Sequence, residues 1–91
     1  MAEPIASYVL TPHARFVMER RGIPESVINQ VVAAPEQRIG VRPHRDVLQS
    51  RVSFPDGTYL VRVFVDVNCA PVEVVTVYRT SKIEKYWGKQ P

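Results

Sequence analysis

The sequence predicts an α+β domain in which two N-terminal helices pack on a three- to four-stranded antiparallel sheet, followed by a short C-terminal helix. Helix start and stop signals crowd the first third of the chain, and three apolar segments of strand length follow at residues 47–54, 59–67 and 72–79. The length of 91 residues and the hydrophobic content of 45% fit a single domain covering residues 1–91.

Two helices are predicted before the first strand. Thr11 supplies a capping hydroxyl and Pro12 a first helical residue, and this helix should end before Gly22. The second helix should run from Pro24 to the residue before Pro35. Its apolar residues recur at helical spacing and should cover the apolar face of the sheet; they are Val27, Ile28, Val31 and Val32.

The strands should form an antiparallel meander, with a weaker additional strand at residues 37–41. A two-residue turn at Asp56-Gly57 would place Arg51 opposite Arg62. Like charges directly opposite each other destabilise a sheet. Either a polyanion relieves this repulsion, or nearby carboxylates pair with the arginines.

The position of the last strand depends on the second hairpin. If Val67 pairs with Val72, Leu60 lies beside Arg79 on the face that carries the arginines. Tyr78 then lies on the opposite, core face. A slip of one residue would move Tyr78 onto the face with the arginines.

A short C-terminal helix is predicted from a capping box. Ser81 and Glu84 have the required spacing, and the helix should run through Trp87 to Gly88. Cations such as Lys82 and the aromatic residues of this tail either stack and hold nucleotides or anchor the tail on the domain, and we favour anchoring.

Composition narrows the class of protein. The net charge of +3 and the pI near 9.4 permit nucleic-acid binding without requiring it. The single cysteine, Cys69, excludes an internal disulfide and fits a reducing cytoplasm. One cysteine and two histidines do not make a recognisable zinc site, so no cofactor or metal is predicted. No run is long and apolar enough for a membrane span, so we expect a cytoplasmic protein without a membrane partner.

His13 and a basic loop are candidate functional elements. His13 lies in the first turn of the first helix, where the dipole disfavours a positive charge, so it is expected to act as a proton acceptor or to cap the helix. Arg42, His44 and Arg45 are suited to phosphate contacts, although a solvated loop is the more common structure for such residues.

These residue types together suit RNA cleavage without a metal ion. The reaction needs a base for the 2′-hydroxyl, cations for the phosphorane-like transition state and an acid for the leaving oxygen. His13 is the candidate base, and Arg51, Arg62 and Arg79 are the candidate cations. Tyr78 is the candidate acid or nucleotide-orienting group.

Three short segments resemble a known family. Thr-Pro-His-Ala-Arg at residues 11–15, Glu-Arg-Arg-Gly-Ile-Pro at residues 19–24 and Val-Thr-Val-Tyr-Arg-Thr-Ser-Lys at residues 75–82 resemble a small bacterial family labelled a domain of unknown function. That family looks like the RelE, ParE and BrnT toxins of toxin–antitoxin systems, which have helices followed by an antiparallel sheet. The resemblance spans about residues 11–82.

The resemblance implies a function and a set of residues. It implies an RNA-cleaving toxin with RNA as substrate and an antitoxin protein as partner. His13, Arg21, Arg62 and Tyr78 are the residues that would be catalytic. Relatives of the ParE type act instead by binding a protein.

Two alternatives therefore remain. One is a non-catalytic protein-binding module that uses the mixed arginine and apolar face, with Leu60, Phe64, Val75 and Val77 as its apolar centre. The other is a homodimer formed through the same face.

Overall fold

A computed structural model describes residues 2–88. The elements in chain order are β1 (Tyr8–Leu10), α1 (Pro12–Arg20), α2 (Glu25–Ala33), β2 (Gln37–Arg42), β3 (Arg45–Phe54), β4 (Gly57–Asp66), β5 (Val72–Thr80) and α3 (Ile83–Tyr86). The predicted α+β class is confirmed.

The predicted layout needs two corrections. The sheet has five strands in the order β1-β5-β4-β3-β2, and it is mixed rather than antiparallel. Strand β1 comes before the helices and pairs in parallel with β5, with Tyr8 opposite Val72 and Leu10 opposite Val74. A parallel partner lies far away in the sequence, so no local turn signal announces the pairing.

The two long helices follow their predicted signals. The Thr11 hydroxyl accepts a hydrogen bond of 3.1 Å from the Ala14 amide, and α1 begins at Pro12. Gly22, just beyond α1, has φ of 65°, a left-handed conformation that glycine adopts without strain. Both helices cover the same side of the sheet, which we call the helix face. The core there consists of Ile5, Ala14, Val17, Met18, Ile23, Ile28, Val31, Val32, Leu48, Val52, Val61, Val63, Val65, Val74 and Val77.

The turn of the first hairpin lies one residue earlier than predicted, which shifts the pairing of β3 with β4 by two residues. Phe54 pairs with Gly57, so Pro55 and Asp56 form the turn. Arg51 therefore lies opposite Leu60, and the predicted Arg51–Arg62 pairing is wrong. Because the register differs by an even number of residues, the two arginines still project from the same face of the sheet.

A bulge in β5 corrects the face assigned to Tyr78. Val65 pairs with Val74, but Phe64 pairs with Thr76, so Val75 is an extra residue without a partner on β4. Beyond the bulge Tyr78 lies opposite Arg62 instead of on the core face. The same bulge places Val77 and Arg79 on the helix face, whereas the predicted register had them on the face that carries the arginines.

We use the name arginine face for the side of the sheet opposite α1 and α2. Its central residues are Gln49, Arg51, Leu60, Arg62, Phe64 and Tyr78. The helix α3 is a single turn, and its N-cap is Lys82 without a side-chain hydrogen bond, so the predicted Ser81–Glu84 capping box is wrong. The chain after β5 folds back over the arginine face.

Candidate functional site

Arg62 lies at the centre of the arginine face. The residue is only 5% exposed, although it carries a charge. Its Nε donates a hydrogen bond of 2.8 Å to Gln49 Oε1, and its Nη1 donates one of 2.6 Å to the Tyr78 hydroxyl. Strands β3, β4 and β5 thus contribute one side chain each to a hydrogen-bonded row, Gln49–Arg62–Tyr78.

Aromatic rings surround the guanidinium. The carbon Cζ of Arg62 lies 4.5 Å from the ring centre of Tyr86, 5.3 Å from that of Phe64 and 5.7 Å from that of Tyr78. Each ring face attracts a cation, and the attraction grows when water is excluded. Tyr86, an aromatic residue of the C-terminal tail, is thus anchored on the domain in part through its contact with Arg62.

Arg62 has no carboxylate partner among residues 2–88. The ion pairs of that part of the chain engage Arg38, Arg45, Arg51 and Arg79. Neutral hydroxyl, amide and ring groups are what compensate the charge of Arg62. Within that range Nε and Nη1 of Arg62 make hydrogen bonds, to Gln49 and Tyr78. A buried cation without a counter-ion is suited to bind an anion.

Gln49 links this centre to α3. It is fully buried, and its Nε2 donates to Gln37 Oε1 at 2.8 Å and to the Tyr86 carbonyl at 3.1 Å. Gln37 Oε1 also accepts a hydrogen bond from the Gly88 amide at 2.8 Å. These bonds hold the α3 backbone on the sheet.

Arg51 forms a second, more open part of the arginine face. Its Nη2 lies 2.8 Å from Glu36 Oε2, and its Cζ lies 4.4 Å from the ring centre of Trp87. The hydrogen bonds from Arg51 lower the pKa of the Glu36 carboxyl below its usual value. The ring of Trp87 therefore packs on an arginine whose charge is already paired with a carboxylate.

His13 and Arg21 lie elsewhere. His13 lies on α1 and Arg21 directly follows it. This helix packs on the helix face, and both residues are exposed. Arg21 Nη1 donates a hydrogen bond of 2.8 Å to the Val77 carbonyl, so it binds the free edge of β5 beyond β1. The four residues named by the resemblance therefore divide into two groups, with Arg62 and Tyr78 in contact on one face and the other pair on α1.

The remaining predicted RNA-binding residues are scattered. Arg42 is exposed at the end of β2, and His44 is exposed in the turn between β2 and β3. Arg79 lies on the helix face, with its Cζ 4.4 Å from the ring centres of both Phe54 and Tyr59. Lys82 is exposed at the start of α3. None of these four residues takes part in the hydrogen-bonded row around Arg62.

Arg45 is engaged by a carboxylate. Its Nε and Nη2 donate hydrogen bonds of 2.7 Å and 2.9 Å to the two oxygens of Asp66, across the β3–β4 pair. The hydrogen bond from Arg45 is the main cause of a lowered pKa of the Asp66 carboxyl. This paired geometry leaves Arg45 less suited to phosphate than an unpaired arginine.

The Arg45–Asp66 pair predicts a pH dependence of stability. Because the pKa of Asp66 is lower in the folded than in the unfolded protein, the pair stabilises the fold above pH about 4 and loses its contribution as the pH falls through the lowered value. Asp66→Asn should therefore be less stable than the natural protein at neutral pH, and urea denaturation should show this difference shrinking in acid. A constant difference at all pH values would contradict the assignment.

Two supporting residues of the arginine face were not predicted as site residues. Gln49 contacts Arg62 and Glu36 pairs with Arg51, but glutamine and glutamate at these positions carry no motif. One signal was present: an uncharged polar residue, Gln49, within an apolar strand opposite an arginine.

No protein-family model, curated protein or solved structure matches this chain. In the part of the chain that the structure describes, no three histidine, cysteine, aspartate or glutamate residues are grouped so as to hold a metal ion. No helix within residues 2–88 is long and apolar enough to cross a membrane.

Proposed function

We propose that the protein is a metal-independent endoribonuclease of the toxin type, with a RelE/ParE-like arrangement, whose reaction centre is the Arg62–Tyr78 pair. The observation that supports this most is the nearly buried guanidinium of Arg62, which has no carboxylate partner within residues 2–88 and donates a hydrogen bond of 2.6 Å to the Tyr78 hydroxyl. Burial of a cation without a counter-ion costs folding energy, and a bound anion would offset that cost. A phosphodiester is the anion that the surrounding aromatic rings suit best.

The chemistry follows from the directions of these hydrogen bonds. The Tyr78 oxygen accepts from Arg62 Nη1, so its own proton remains available for donation. Arg62 would bind the non-bridging phosphate oxygens, where charge grows in the transition state. The 2′-oxygen forms its bond to phosphorus and loses its proton to water, while the bond from phosphorus to the 5′-oxygen breaks. Tyr78 would protonate that leaving oxygen, giving a 2′,3′-cyclic phosphate and a 5′-hydroxyl.

A protein-binding role is the second candidate. The surface first expected for it is reduced, because Leu60 is fully buried and Val77 lies on the helix face. Phe16 on α1, 59% exposed, favours a protein partner on the helix side of the molecule, whereas Val9 on β1, 45% exposed, pairs with Glu73 and lies on the arginine face. An antitoxin or a second copy of the chain would fit Phe16 equally well.

The decisive variant is Tyr78→Phe, which removes one hydroxyl and keeps the ring. We expect RNA cleavage to fall by about 100-fold or more, because the leaving oxygen loses its proton donor. The measurement is the rate at which 5′-hydroxyl RNA ends form, with purified protein and in cells. Tyr59→Phe is the matched control, since its hydroxyl bonds Asp56 at 2.7 Å in the first hairpin and should not affect cleavage.

His13→Ala distinguishes the two groups of residues. It should leave cleavage unchanged, since α1 lies on the helix face. Loss of cleavage in His13→Ala together with full activity in Tyr78→Phe would move the reaction centre to α1. If the folded natural protein arrests growth without cutting RNA, the protein-binding role replaces the nuclease.

A further inference from the structure

A cavity lies beside α3, at the open end of the arginine face. Its volume is about 470 Å³, and its walls are Arg51, Ile83, Glu84 and Trp87. Ligand sites commonly have volumes of about 300–1,000 Å³ and combine apolar walls with a few polar groups. This cavity offers an aromatic ring, an aliphatic side chain, a cation and an anion in one small space.

We propose that this cavity binds a guanine base of single-stranded RNA, stacked on Trp87 and hydrogen-bonded to the carboxylate of Glu84. The inference rests on the proposed function, because RNA is the substrate there, and it adds a base preference. Aromatic side chains that stack single-stranded bases while polar groups read the Watson–Crick edge are the usual means of RNA recognition.

The carboxylate selects guanine among the four bases. An ionised carboxylate only accepts hydrogen bonds, and its two oxygens can accept two parallel ones. Guanine presents two adjacent donors, N1–H and the N2 amino group, on its Watson–Crick edge. Adenine, cytosine and uracil each place an acceptor beside their donor on that edge, and a lone pair there would face the negative charge.

Glu84 is available for this role. Among residues 2–88 its side chain takes part in no hydrogen bond or ion pair, and it is exposed. Arg51 does not neutralise it, because Arg51 donates through Nε and Nη2 to Glu36 instead. Glu36 thus holds Arg51 under Trp87 and leaves Glu84 to a ligand.

The surroundings accommodate the rest of a nucleotide. A second cavity of about 530 Å³ shares Ile83 and Glu84 with the first and is also lined by Ser81, Lys82 and Lys85. The two lysines lie where a sugar–phosphate chain would leave the base. On the other side Tyr86, the neighbour of Trp87, lies 4.5 Å over Arg62. The cavity and Arg62 are thus linked through the consecutive residues Tyr86 and Trp87.

The test uses the emission of Trp87, the one tryptophan of the sequence. Single-stranded 2′-O-methyl RNA oligomers of uridine, carrying one central G, A, C or U, cannot be cleaved and so report binding alone. We expect the G oligomer to quench Trp87 and to bind about tenfold more tightly than the others. Glu84→Gln should remove this preference, and the matched control Glu19→Gln, on α1, should keep it.

Each other outcome has a defined meaning. Equal affinity for the four oligomers, or a G preference that persists in Glu84→Gln, overturns the inference. Guanosine 5′-monophosphate that binds as tightly as the G oligomer overturns RNA as the source of the base. Cleavage of unmodified RNA by the natural protein and Tyr78→Phe is measured in parallel, so cleavage without base preference rejects this inference while the nuclease stands.

Discussion

Arg62→Met should abolish RNA cleavage while leaving the protein folded. Methionine fills most of the space between the three aromatic rings, and it removes a charge that no carboxylate within residues 2–88 compensates. Removal of the buried charge is favourable, but Gln49 Oε1 loses the donor that it has in Arg62 Nε. We therefore expect the free energy of unfolding to fall by about 1–2 kcal/mol. Loss of transition-state stabilisation should lower the cleavage rate by about 100-fold or more.

Two measurements check this separation. Urea denaturation gives the stability, and the rate of appearance of 5′-hydroxyl RNA ends gives the activity. Inorganic phosphate should raise the melting temperature of the natural protein more than that of Arg62→Met, because an anion that binds only the folded state stabilises it. A variant that is strongly destabilised, with an equal response to phosphate, would instead make Arg62 a purely structural residue.

Gln49→Leu should produce the largest loss of stability on the arginine face. Leucine has a similar size but cannot make the three hydrogen bonds to Arg62 Nε, Gln37 Oε1 and the Tyr86 carbonyl. A buried group left without its partner costs about 1–3 kcal/mol, and a charged donor costs more. We expect a loss of about 3 kcal/mol in urea denaturation, with a red shift of Trp87 emission as α3 separates from the sheet.

The cause can be isolated with a double variant. In Gln49→Leu with Arg62→Met, no buried guanidinium is left without an acceptor, so the combined loss should be smaller than the sum of the single losses. Gln30→Leu on the exposed side of α2 is the control and should change stability little. Strict additivity would show that Gln49 acts through α3 alone.

The helices were predictable because their signals are local. Thr11 and Pro12 begin α1, Gly22 follows its end, and the spacing of Ile28, Val31 and Val32 indicates the buried side of α2. Strand β1 was not predicted, since three residues that pair with a strand more than sixty positions away leave no local pattern.

The candidate site was harder to predict because it depends on register. Arg62 and Tyr78 were both singled out, yet their contact exists only because Val75 bulges from β5. A valine within an apolar strand gives no sign that it will be the extra residue, since bulges follow from how neighbouring strands twist and pack. The turn at Pro55-Asp56 was missed for a similar reason. Glycine is compatible with a turn and with a strand, so the sequence does not show which of the two contains Gly57.

The position of β1 in the sheet has a consequence for the order of folding. Residues 8–10 complete the sheet by pairing with residues 72–74, so the first strand gains its partner only when the last one is available. The apolar stripes of α1 and α2 depend on the same meander of β3, β4 and β5 for burial. Folding should therefore start in the meander, whose hairpins close short loops, and the N-terminal third should join late. During synthesis that third would emerge first and wait, with its valines and isoleucines accessible to chaperones, for the strand that completes the domain.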